Sequence, residues 1–101
     1  MFLYEVNLTV DISIAGDYAA WLAPHIQQIL SFEGFLSARW FEEDSDDPAV
    51  KRWVVHYYVK DRASLDNYFA NHAAGMRRDG LERFPGKFTA SRRVMEERFK
   101  V

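Results

Sequence analysis

The chain has 101 residues, 49% hydrophobic and 16% aromatic, with a net charge of −2 and no cysteine. That length fits one domain, residues 1–101, and the apolar content excludes a disordered segment. The balanced charge speaks against a general nucleic-acid binder, and the lack of cysteine excludes disulfides and thiolate metal sites.

The start, "MFLYEVNLTVD", has no basic region followed by an apolar run, so no leader peptide is expected there. No stretch approaches the length of a membrane span. Neither nucleic acid nor membrane is expected as a partner, and a reducing, cytoplasmic setting is expected. Residues 2–10 alternate: Phe2, Tyr4, Val6, Leu8 and Val10 share one face, and Glu5, Asn7 and Thr9 the other. This predicts a half-buried strand. In "IAGDYAAWLAPHIQQILSF", Tyr18, Trp21, Leu22, His25, Ile26 and Ile29 recur at helical spacing. Pro24 removes a backbone donor inside that helix and predicts a kink, and Gly34 suits its C-terminal cap.

"GFLSARWFEED" and "KRWVVHYYVK" predict a second and a third strand, joined by the acidic, exposed loop "DSDDPAV". Asp61 is a good N-cap for a second helix with Leu65, Tyr68, Phe69, His72 and Met76 as its apolar stripe. Gly75 and Gly80 are poor in a helix interior and predict a break or a second short helix through "MRRDGLERF". "GKFTASRRVMEERF" closes the chain as a fourth strand.

The order strand, helix, strand, strand, helix, strand predicts an α+β, ferredoxin-like βαββαβ sandwich, with both helices on one face of an antiparallel sheet. The third strand is apolar on both faces. Trp53, Val55, Tyr57 and Val59 point one way, and Val54, His56 and Tyr58 the other. Only one face can pack on the helices, so the chain is expected to cover the other with a second copy of itself, as a homodimer.

The βαββαβ order, the two-faced third strand and "KDRASLDNYFANHA" resemble the dimeric α/β-barrel superfamily. That group includes cofactor-free monooxygenases of antibiotic biosynthesis, heme-degrading monooxygenases and muconolactone isomerase. "YEVNLTVD", "HA" with "MRRDGLERF", and "ASRR" resemble more closely a family of small bacterial proteins of unknown function within it. The resemblance implies the fold and the dimer. Heme-degrading members carry an asparagine on strand one, then a tryptophan and a heme-binding histidine on helix two. Asn7 and His72 match, but Arg62 stands at the tryptophan's place, and no cofactor is expected.

Several side chains are candidates for a site. His72 lies on the stripe of helix two, where a neutral imidazole serves as a base or ligand or is simply hydrogen-bonded at the core edge. It is expected to border a cavity. His25 occupies the same position on helix one, and the two histidines are placed to approach each other. His56 and Tyr58 share a face of strand three and have two readings, substrate handling or interface packing. Asn7 looks into the dimer or into a pocket, depending on which face of strand one meets the helices.

Residues 76–93 hold six cations, Arg77 and Arg92 among them, against two carboxylates, a set suited to an anionic group or to a solvated surface. Asp44, Asp46 and Asp47 lack a calcium-loop pattern, so no metal site is expected. No nucleophile motif or phosphate-cradling glycine loop is present.

The leading expectation is a homodimeric domain that binds a small hydrophobic or anionic ligand through His25, His56, Arg77 and Arg92. A cofactor-free monooxygenase or isomerase acting on a small hydrophobic or aromatic substrate, with His72, Tyr58 and Asn7 around a hydrophobic pocket, is the alternative. A dimerising interaction protein without ligand is the third.

Overall fold

Two ten-residue strands, β1 (Phe2–Asp11) and β3 (Val50–Val59), form the centre of one antiparallel sheet, with Tyr4 opposite Tyr57 and Val6 opposite Val55. Strands β2 (Phe35–Glu42) and β4 (Phe88–Glu96) complete it in the order β2-β3-β1-β4. The computed structural model describes residues 1–101. Helix α1 (Ala15–Ile29) joins β1 to β2, and α2 (Arg62–Asn71) and α3 (Ala73–Arg83) join β3 to β4. This is the ferredoxin-like α+β arrangement that the element order predicts.

The alternation of the central strands is resolved by burial. Tyr4, Leu8 and Val10 of β1 and Trp53, Val55, Tyr57 and Val59 of β3 are buried under the helices with Tyr18, Leu22, Leu65 and Tyr68. Each large side chain sealed there contributes roughly 1.5–3 kcal/mol. Asn7, His56 and Tyr58 therefore stand on the opposite, open face, since neighbouring residues of a strand point to opposite sides. β2 reaches the core through Phe35, Ala38 and Trp40, after a register shift between Phe35 and Ser37 that acts as a bulge.

The helix signals are met with two corrections. Asp61 caps α2, its Oδ1 accepting the Ser64 backbone N–H at 2.8 Å. Helix α1 continues through Pro24, which lies on its exposed side, and ends with Leu30 as cap. Gly34 is therefore not the helix cap. The helix tail closes with tighter turns, Ser31 N–H to Gln28 O and Phe32 N–H to Ile29 O, both 3.1 Å. Gly34 serves the turn into β2 instead, at φ +84°, where a Cβ would come within 2.2 Å of the Ser64 Cβ.

The break in the second helical segment falls at His72, with φ −129° and ψ −33°, before either glycine. Gly75 and Gly80 both lie inside α3. Tertiary packing overrides propensity at Gly80, where a Cβ would sit 3.0 Å from the Trp21 ring, so a side chain there would have to displace that ring or push α3 from α1 by a few tenths of an ångström.

Candidate functional site

Sheet and helices do not close completely. A cavity of about 370 Å³ remains between β1, β4 and β3 on one side and α1, α2 and α3 on the other. Its walls are mainly apolar and carry several aromatic rings. Tyr18 is the hub, with its ring centroid 5.2 Å from Trp21, 5.0 Å from Phe88 and 5.1 Å from Phe84. On the sheet, Tyr4 stacks on Tyr57 at 5.7 Å and leans on Tyr68 at 6.0 Å. Gly80 faces the same space, and its missing side chain keeps that wall open.

Three of the sequence candidates meet here: His25 from α1, Arg77 from α3 and Arg92 from β4. The His25 ring stacks on Trp21 at 4.4 Å, and the Trp21 indole N–H donates to Asp79 Oδ2 at 2.8 Å, tying α1 to α3. Burial holds the His25 pKa below its ordinary value, against the pull of Asp79 and with help from Arg92. The imidazole is thereby kept neutral at physiological pH and able to accept or donate one proton. Burial likewise pushes the Tyr18, Tyr57 and Tyr68 phenols well above their ordinary range, so they act as protonated donors. The neighbouring tyrosines add to the effect at Tyr57. Arg77 donates from Nη2 to the Tyr4 hydroxyl at 3.2 Å, while its buried Nε has no partner.

The other candidates lie elsewhere. His72 does not line the cavity. It sits at the junction of α2 and α3 and stacks face to face on Phe32, with ring centroids 4.1 Å apart. The helix break turns it away from the stripe it shares in sequence with Tyr68 and Met76. His25 and His72 thus stack on different partners, and no cluster of histidine and carboxylate side chains is placed to hold a metal ion.

Asn7, His56 and Tyr58 belong to the open sheet face, so the expected pocket of His72, Tyr58 and Asn7 is not formed. There Glu5 is only 6% exposed and is held on several sides. It accepts Asn7 Nδ2 at 3.0 Å and Arg93 Nε at 2.5 Å, and its Oε1 lies 2.9 Å from His56 Nε2. His56 and Arg93 are its cross-strand neighbours on β3 and β4. The Arg93 guanidinium, followed by the Asn7 amide, lowers the Glu5 pKa from 4.5 to about 2 despite burial. Sequence reasoning missed Glu5 and Arg93, and it read the cavity tyrosines as core. The alternating acid and amide of "YEVN" was the available signal.

No curated protein matches the sequence. Solved structures do match in shape. A variant of SnoaB, a cofactor-independent oxygenase from Streptomyces nogalater, superposes with a TM-score of 0.72 at 12% identity, covering 99% of this chain and 96% of that one. The monooxygenase ActVA-Orf6 of Streptomyces coelicolor, in complex with nanaomycin D, has a TM-score of 0.64 at 18% identity, with 99% and 89% covered. An ethyl tert-butyl ether D (EthD) family protein of Bacillus halodurans has a TM-score of 0.66 at 12% identity, with 97% and 100% covered. At such identities the likeness is one of fold. The family model described as "Domain of unknown function (DUF4286)" matches residues 1–98, and the chain belongs to that family.

Proposed function

We propose that this protein is a homodimeric domain that binds a small, largely apolar ligand in the space between sheet and helices. The observation that carries the proposal is the cavity of about 370 Å³, whose mostly apolar walls include His25, Arg77 and Arg92. Ligand pockets usually measure about 300–1,000 Å³ and combine apolar walls with a few placed polar groups. An interaction module without ligand would gain by filling this space, because unfilled volume inside a fold forfeits contact energy.

The open sheet face supports the pairing. Leu3, Val54, Tyr58 and Met95 are half-buried there and Phe41 is 45% exposed, around the charged group at Glu5. Asn7, His56 and Tyr58 are assigned to this face as pairing residues, and His72 to the helix junction. A stable pair is expected to bury more than about 1,000 Å².

A second reading, a cofactor-free monooxygenase or isomerase, is favoured by the likeness in shape to a cofactor-independent oxygenase. In that case neutral His25 is the group suited to move a proton at the cavity wall. Native mass spectrometry of freshly purified protein tests the main proposal. A dimer mass carrying an added small molecule is expected, and a bare single-chain mass refutes it.

A further inference from the structure

We infer that the ligand of this cavity carries an anion, an aromatic carboxylate being the class that fits best, held by the guanidinium groups of Arg77 and Arg92. The inference rests on the proposed ligand site and adds the charge of its occupant.

The lining holds two guanidinium groups, Arg77 and Arg92, and no carboxylate. The nearby acids are committed elsewhere. Asp79 accepts the Trp21 indole and lies 3.4 Å from Arg83 Nε, while Glu5 is held by Arg93 on the opposite sheet face. His25 is kept neutral and balances neither arginine. A carboxylate takes charge-assisted bonds from guanidinium groups and would supply the counter-charge that the lining lacks. The Tyr4 hydroxyl accepts from Arg77 Nη2 at 3.2 Å and anchors that side chain at the cavity wall. Trp21, Tyr18 and Phe88 supply flat faces for a ring attached to the carboxylate.

The test compares two probes of the same shape, 2-naphthoate and 2-naphthamide, by titration calorimetry of the full chain at neutral pH. The naphthoate is expected to bind at least about tenfold more tightly. Arg77→Met should bring the two affinities together by weakening the naphthoate alone, and Arg77→Lys should restore part of the difference. Arg92→Met, at a solvent-exposed position of β4 on the cavity side, gives an independent reading if Arg77→Met does not fold, and should narrow the same ratio. Equal affinity of both probes for the unaltered protein overturns the anionic ligand and leaves the apolar site standing. An undiminished ratio in both methionine variants overturns the role of the arginines. Binding of neither probe removes the ligand site itself, and this inference with it.

Discussion

Replacing Glu5 by glutamine tests how the open sheet face is held together. Glu5 is nearly sealed from water, yet its pKa falls from 4.5 to about 2, because Arg93 and Asn7 bond its charged form more strongly than burial opposes it. A native pKa below the unfolded one means that the unfolded chain binds the proton more readily. The stabilisation is therefore complete above about pH 4.5 and is lost as the pH falls toward about 2. At about 1.36 kcal/mol per pKa unit the shift corresponds to at most about 3 kcal/mol. Arg93 is 65% exposed, and solvent screening brings the expectation nearer to about 2 kcal/mol.

Urea unfolding of the protein and of Glu5→Gln, followed from neutral pH down to about pH 2, measures this directly. The hydroxyl, amide and indole bonds that lower Asp11, Asp61, Asp79 and Glu42 act in both proteins and cancel in the difference. The stability gap should shrink through that window. A carboxyl titration by NMR should place the Glu5 midpoint near 2, and Arg93→Gln should raise it. A gap that does not change with pH, or an ordinary Glu5 midpoint, refutes the argument that Arg93 and Asn7 outweigh burial.

Tyr57→Asp and Tyr58→Asp should separate the two sheet faces. Tyr57 is 2% exposed beneath the helices, and a carboxylate there costs several kcal/mol, enough to unfold the chain by circular dichroism. Tyr58→Asp should leave a folded monomer in sedimentation, and a dimer that survives it would sink the pairing proposal. Gly34→Ala should lower stability by at least about 2 kcal/mol, since the residue has positive φ and Ser64 occupies the space of a Cβ. Gly86→Ala, at φ +70° with open space around it, should cost only about 1 kcal/mol in the same denaturation series, and equal costs would show that contact with Ser64 adds nothing.

Much of the fold was legible in the sequence because its signals are local. The alternation of 2–10 and 51–60, the helical spacing from Tyr18 to Ile29 and the cap at Asp61 each depend on neighbours a few residues away. Together they imply the βαββαβ order. Alternation, however, is symmetric about the sheet plane. It separates Asn7 from Tyr4 without saying which of them meets the helices.

Packing decided that, placing Tyr4 and Tyr57 inward and Glu5, Asn7, His56 and Tyr58 outward. Packing also decided the helix break. Gly80 is kept in α3 by the Trp21 ring, and the chain turns at His72, whose imidazole finds Phe32. Candidate histidines on two similar apolar stripes thus separated, His25 into the cavity wall and His72 away from it. The cavity has no sequence signature, because it consists of volume that Tyr18, Tyr68, Met76 and Gly80 leave unfilled, and only their joint placement in three dimensions defines it.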